Sequence, residues 1–371
     1  MSTWRRLPPA LPEELVEEIV LRFPPDDPAG LLSASLVCKS WCRVISGTDF
    51  HRRFREHHRT PPLLGIIHSS VGISFGRGGC IKQTQFMPAS TFLLNTANMS
   101  RWCAIDTLHG RILFGDYDST ELFVWSPAPG EVRRLPALLP LGKYSWSAAL
   151  LCATAGCNHL DCSGAFVVVF VGTYIVKVTT SAYIYSSEQH EWSTPIYMQD
   201  RSVQGIKRPS ARVGNTVYFI CKRSTKLLAY ELCKRELSFV SIPSTCWSYS
   251  FTVFATADEG RLGFATAEWF RLFTWSREAG SLDGDAGWTQ QRVFEIDKLL
   301  PSSTLSYQYD LFATTNNGVI VVKGNSVLFA IDLKSGEVKK LLDGSAVRSI
   351  SDVVPYIGFC TPTSSHQYKF A

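Results

Sequence analysis

The sequence has no apolar run long enough to cross a bilayer. Its longest, AFVVVFVG at 165–172, falls far short of the ~20 residues a spanning helix needs. It has little excess charge of either sign. Its 37 basic and 32 acidic residues leave +5, which gives no argument for nucleic acid as a partner. The opening stretch, MSTWRRLPPALPEEL, holds no apolar core and is interrupted by prolines, so it does not read as a signal peptide. Without an export signal, the 11 cysteines are expected to be reduced thiols, and the protein is expected in the cytoplasm or nucleus. What remains, 371 residues of which 45% are hydrophobic and 19% charged, suits a globular chain with a large core.

Helical patterning is confined to the front. Leu15, Ile19, Val20 and Phe23 recur at helical spacing, with Glu13, Glu14, Glu17 and Glu18 mostly on the other side. Pro24 disfavours helix at Phe23 and stops this segment. Asp27 then stands as an N-cap ahead of Pro28 at the first helical position. Leu31, Leu32 and Leu36 mark a second short helix. Val37 or Cys38, Trp41 and Ile45 lie along a third, which Ser46-Gly47 ends. Asp49 is expected to cap a fourth, FHRRFREHH, with Phe50, Phe54 and His57 on one face. The first three helices fall below the size at which a domain folds securely alone, and they carry more apolar residues than they can hide. Either the rest of the chain or another protein must cover them.

The order L-P-x-E-L-x-x-x-I, F-P-P-x-D and L-V-C-K-x-W-x-x-x-I-S resembles the F-box. Its residues here are Leu11, Pro12, Glu14, Leu15, Ile19, Phe23, Pro24, Pro25, Asp27, Leu36, Val37, Cys38, Lys39, Trp41, Ile45 and Ser46. The continuation FHRRFREHHRTPPLLGII, and later RWCAIDTLHGRILF and CATAGCNHLDC, are similar to stretches of a large group of grass F-box proteins. This resemblance implies a Skp-family adaptor bound through Leu11, Pro12, Leu15, Ile19, Leu32, Val37, Cys38 and Trp41, and through that adaptor a cullin scaffold.

From residue 61 on, β patterning dominates, and one unit recurs. LFVW-SPAPG-EV, YIY-SSEQH-EW, LLAY-ELCKR-EL and LFAI-DLKSG-EV each place a glutamate six residues after an anchor and an apolar residue seven after it. The anchors are Trp125, Tyr185, Tyr230 and Ile331. The glutamates are Glu131, Glu191, Glu236 and Glu337, followed by Val132, Trp192, Leu237 and Val338. A fifth copy begins at Trp275 and carries an insertion before Trp288. Upstream of each hairpin lies a glycine-led apolar strand: GRILF, GAFVVVF, GNTVYFI, GRLGFA and GVIVV. A period near ~50 residues with about four strands per unit predicts a β-propeller of the kelch class, though without its double-glycine signature; a pair of irregular sandwiches is the alternative.

The expected fold class is therefore α+β by segments. A three-helix F-box (8–48) and a linking helix (49–60) precede an all-β propeller of about six blades (61–371). The apolar runs PPLLGIIHSS and VVPYIGFCTP belong to no complete repeat, so Val353–Cys360 is expected to pair with strands from residues 63–95 and close the ring.

Catalytic signals are weak. Cys152, Cys157, His159 and Cys162 gather soft ligands, but C-x4-C-x-H-x2-C is not a usual zinc spacing, so no metal is expected. GISFG around Ser74 lacks the helix that a nucleophile elbow requires. SLDGDAGW departs from an Asp-box, and GKYS from a phosphate loop. HRRFREHHR reads as a solvated basic helix face. No cofactor and no catalysis are expected. Three apolar-Pro pairs (Leu135-Pro136, Ile242-Pro243, Leu300-Pro301) end outer strands and lead into aromatic crossings. Tyr144, Trp146, Trp247, Tyr249, Tyr307 and Tyr309 are expected on one rim as a surface that reads a target protein. The F-box resemblance implies the role of a substrate receptor in an SCF-type ubiquitin ligase, and these features agree with it. The alternatives are a non-degradative F-box protein and a glycan- or metabolite-binding propeller.

Overall fold

Pro12 opens the first helix, α1 (Glu13–Leu21), and the chain leaves it at Arg22, just ahead of the Phe23-Pro24-Pro25 stop. Asp27 caps α2 (Pro28–Ser35) by accepting from the Gly30 amide, and Pro28 sits at its start as the sequence predicts. α3 (Lys39–Ile45) follows. α4 (Thr48–His58) starts after Gly47, so Asp49 lies inside its first turn and is not the cap. The face of α4 also differs from expectation. Phe50, Phe54 and His58 share it, four residues apart, and His57 is exposed. His58 packs edge-on against Phe54 at 4.4 Å and donates Nε2–H to the Leu21 carbonyl. Burial holds its pKa below the ordinary histidine value. The computed structural model describes residues 11–370 apart from 74–79, 97–98, 100–101, 117–120, 128–129, 139–143, 155–163, 175, 202, 204, 223, 244–249, 256–260, 279–286, 303–304, 306–308, 314–317 and 363–368.

Seven antiparallel sheets follow; six are the blades of a propeller, and the seventh is a two-stranded pairing of Phe92–Leu93 with Lys369–Phe370. The innermost strands are Cys103–Leu108 (blade I), Tyr144–Cys152 (II), Ile206–Val213 (III), Ser250–Ala255 (IV), Asp310–Ala313 (V) and Ile350–Ile357 (VI). Each touches the next, and the sixth touches the first, so the ring closes. The five glycine-led segments are all second strands: Arg111–Gly115, Phe166–Tyr174, Thr216–Cys221, Leu262–Glu268 and Val319–Lys323. Their burial on both faces explains the near-continuous apolar runs that made them legible.

The repeated hairpins share one register. Trp125 pairs with Val132, Tyr185 with Trp192, Tyr230 with Leu237 and Ile331 with Val338. A spacing of seven leaves a four-residue loop whose last residue is left-handed in every case: Gly130, His190, Arg235 and Gly336. The insertion in blade IV changes this register. Trp275 pairs with Gln290, and Trp288 sits opposite Arg277. Blades are stitched at their outer edges. Trp192 Nε1 donates to the Pro136 carbonyl of blade I, and Trp288 Nε1 to the Ser241 carbonyl of blade III, both at 2.8 Å. Leu135, Ile242 and Leu300 are buried between successive blades. A short helical turn, Ile296–Leu299, separates Leu300 from its outer strand, which ends at Glu295 and not at the apolar-Pro pair.

Blade VI joins the two ends of the chain. Ile350–Ile357 is its inner strand, paired with Leu63–Ile73, which in turn pairs with Cys80–Pro88. The pairing matches the expected closure, with Val353 opposite His68 and Tyr356 opposite Gly65. Gly65 is needed there. A Cβ would stand 2.3 Å from the Phe86 ring. The seam is tied further by Thr107, which donates to the Pro355 carbonyl, and by Tyr356, whose hydroxyl donates to that of Gly110.

Candidate functional site: the outward face of the helical head

The head has its own small core. Val20, Leu21, Leu31, Ala34, Ile45, Phe50 and Phe54 are buried together, with Phe23 and Trp41 packed on them. On α1 the inward positions are Val16 and Val20, four apart. Leu15 and Ile19, also four apart, lie one position round the helix, and Leu11 just ahead of it keeps their spacing; the three are 51% (Leu11), 51% (Leu15) and 44% (Ile19) exposed. α1 therefore carries two apolar stripes, and only one is used by the head itself. The single stripe read from the sequence merged them: it grouped Leu15 and Ile19 with the buried Val20.

A second exposed apolar segment lies between α2 and α3. Leu36 and Val37 are 68% and 64% exposed, and Cys38 is exposed beside them. Glu13 ties this corner to the start of α1. It pairs with Arg43 and accepts from Ser40 Oγ at 2.9 Å, both on α3. Arg43 holds the Glu13 carboxyl below its ordinary range, with Ser40 adding to the effect. Glu17 and Glu18 are engaged from α4 by Arg53, at 2.7 and 3.0 Å. Glu13, Glu17 and Glu18 are thus turned to neighbouring helices, while Leu15 and Ile19 face out. Of the other residues expected to contact an adaptor, Pro12 is exposed, while Leu32 and Trp41 are half-buried at the margin of the head core.

The head is seated on blade VI. Phe359, just beyond the closing strand, packs edge-on against Phe54 at 6.2 Å, and His51 Nε2 lies 3.1 Å from the Pro362 carbonyl. Thr91 accepts from the Ala29 amide and donates to Asp27, so the α2 cap is shared with the propeller. These contacts lie at the end of blade VI where its inner strand finishes and its second strand begins. Strand alternation puts the turns from inner to second and from third to outer strand on that same rim. The crossings between blades fall on the opposite rim.

Two of the six aromatic residues expected on the crossing rim are buried. Trp146 is only 8% exposed, stacked on Phe170 between blades I and II. Tyr309 is 3% exposed, edge-on to Phe329. Both fill gaps between blades, which corrects their assignment to a reading surface. An inner strand buries alternate side chains against its neighbours, and a large ring there is core. Trp247, Tyr249, Tyr307 and the side chain of Tyr144 lie outside the described residues, as do Ser74, Cys157, His159 and Cys162. Cys152 is buried at the end of its strand. Among the described residues no cluster of histidine, cysteine and carboxylate side chains could hold a metal ion.

Comparison with known proteins gives this head a family. A model of the F-box domain matches residues 9–53. The chain is an F-box domain followed by an all-β propeller of six blades. No curated protein matches it. Among solved structures, a chain of the nidogen/laminin complex is 11% identical, with a TM-score of 0.45, covering 80% of this chain and 99% of that one. A luciferin-regenerating enzyme is 10% identical at a TM-score of 0.40, covering 70% of this chain and 78% of its own. A protein from Lactobacillus plantarum is 12% identical at 0.38, covering 80% and 98%. The six-blade count rests on the strand pairing above, not on these likenesses.

Proposed function

We propose that the protein is the substrate receptor of an SCF-type cullin ubiquitin ligase. In this reading the F-box head binds a Skp-family adaptor, and the propeller holds a target protein. The observation that carries it is the second apolar stripe: Leu11, Leu15 and Ile19, joined by Leu36 and Val37, stand exposed on a head whose own core is already filled. Burying each such side chain on a partner contributes on the order of 1 kcal/mol, which favours a partner over water at this face. The chain catalyses nothing itself. It raises the effective concentration of target lysines near the charged conjugating enzyme. The reading places the protein in the cytoplasm or nucleus and in the grass-type F-box group with a kelch-like propeller. It assigns target contact to the crossing rim, through Tyr144, Trp247, Tyr249 and Tyr307.

Replacing Leu11 and Leu15 together with alanine tests it. Co-purification with the adaptor should be lost while the thermal transition of the propeller is unchanged. Adaptor binding at wild-type strength in that variant would sink the proposal.

A further inference from the structure

On the outer edge of blade II the strand ladder is interrupted. Trp192 pairs with Tyr185 and Ile196 with Ala182, so Ser193, Thr194 and Pro195 stand opposite only Tyr183 and Ile184. Ser193 fills the gap. Its amide donates to the Ile184 carbonyl at 2.7 Å, and its hydroxyl accepts from the Ile184 amide at 3.1 Å. Thr194 takes no part in the ladder and is exposed. Pro195 favours an extended backbone at Thr194. From blade III, Arg235 reaches across the seam. Its Nη2 donates to the Thr194 carbonyl at 2.7 Å and to the Thr194 hydroxyl at 3.4 Å. Arg235 is the exposed last residue of its hairpin loop. No carboxylate among the described residues forms an ion pair with it, the exposed Glu191 and Glu236 included.

Four hydroxyl residues of this chain precede proline: Thr60, Ser126, Thr194 and Thr361. A following proline is what the proline-directed class of serine/threonine kinases reads. The four differ in what surrounds the hydroxyl. Thr361 is 6% exposed. Ser126 is half-buried and paired in its hairpin with Glu131. Thr60 is exposed, but no arginine among the described residues bonds its hydroxyl. Thr194 combines exposure with a cation at the oxygen. A phosphate on that oxygen adds about −1.5 to −2 charge and three acceptor oxygens. The planar guanidinium fork can take two of them at once. Arg235 now reaches Thr194 through Nη2 only, and a phosphate would engage the fork.

We infer that Thr194 is a phosphorylation site whose phosphate is clamped by Arg235, tying blade II to blade III. A kinase transfers the γ-phosphoryl group of ATP. The bond from Oγ1 to phosphorus forms, the bond to the leaving ADP breaks, and the hydroxyl proton passes to the kinase. This seam lies on the outer edge of the propeller and not on the crossing rim, so the inference does not rest on the receptor reading. Treating the full-length protein with a proline-directed kinase and ATP tests it. Mass spectrometry should find phosphate on Thr194. In phosphorus NMR, the signal that is missing from Thr194→Ala should titrate about 0.5 pH units below the ~6 of an ordinary phosphothreonine, because the guanidinium favours the dianion. Arg235→Gln should return the midpoint to the ordinary value. Arg235→Lys, which keeps the charge and loses the fork, should fall between the two, and it supplies the comparison if Arg235→Gln fails to fold. Absence of phosphate from Thr194, or a midpoint that is the same in the wild type and the Arg235 variants, overturns the proposal.

Discussion

The head and the propeller solve the burial problem in opposite ways. The propeller repeats one antiparallel unit of three to five strands and buries each face against the next copy, so its apolar residues are consumed internally. Its exposed large hydrophobics among the described residues, such as Val176, Tyr197 and Trp269, are scattered over several blades. The head concentrates Leu11, Leu15, Ile19, Leu36 and Val37 within one small helical unit. Scattered exposure is ordinary for a protein surface, whereas a contiguous apolar patch marks a binding face. The difference teaches that the smaller region is the one whose folding and partner choice are entangled.

The largest effect should come from breaking the ring, because the head depends on it. Deleting residues 350–371 removes the inner strand of blade VI together with Phe359 and Pro362, on which α4 rests. Two sheet edges and the apolar faces beside them would open. The shortened chain should aggregate or lose cooperative unfolding, as read by size-exclusion chromatography and a thermal melt. A soluble, cooperatively folded product would mean that head and propeller are independent of closure.

The two stripes of α1 and their surroundings can be set against each other next. Ile45→Ala empties a fully buried site and should destabilise the head by roughly 2–5 kcal/mol. Leu15→Ala removes a side chain that is 51% exposed, and should shift stability by only about 0.5 kcal/mol. Proteolytic susceptibility of the head measures both. Similar losses in the two variants would erase the distinction between inner and outer stripes.

A third comparison concerns acid and base. Asp106 lies beside a bulge on the inner strand of blade I, where the register slips between Ala104 and Asp106. Its carboxylate accepts from the Leu150 amide of blade II and from the Thr107 amide, both at 2.8 Å. Loss of water outweighs these bonds and pushes its pKa from 3.8 up to about 7. Between those values the unfolded chain is ionised while the folded one keeps its proton, so the contribution of Asp106 to stability falls as pH rises from ~4 to ~7 and is constant above. At 1.36 kcal/mol per pH unit the swing reaches at most about 4 kcal/mol. Asp106→Asn lacks this titration, so its stability relative to wild type should improve between pH 5 and pH 8 in denaturant titrations. His68, buried in blade VI with its pKa lowered by desolvation, acts with the opposite sign. Its contribution is present at neutral pH and is lost as pH falls below the ordinary histidine value.

The smallest effect should come from the ion pairs that turn the α1 glutamates aside. Arg53→Ala removes partners at 2.7 and 3.0 Å, but the groups are partly exposed, so the loss should stay within about 1 kcal/mol and shrink further in salt. A larger loss in a salt-dependent melt would show that charge, more than packing, orients α4 on α1.

The sequence by itself determined what depends on neighbours along the chain. A four-residue hairpin loop forces residues seven apart to pair, so Trp125 with Val132 and Ile331 with Val338 could be read from spacing alone. Asp27-Pro28 specified a helix start for the same local reason. The apolar runs left over at the two ends of the repeat announced a closing blade, since a ring cannot leave strands unpaired. Only the tertiary structure decided what depends on distant neighbours. Val16 and Leu15 differ little as residues, and which of the adjacent stripes turns inward is set by Ile45, Phe50 and Phe54 arriving from other helices. Trp146 and Tyr309 resemble recognition residues in sequence, yet the twist of adjacent blades swallows both. Thr194 and Arg235 meet across the seam of two blades, which no local period connects. Periodicity records which face a side chain takes on its own element, but burial is fixed by whatever that face meets.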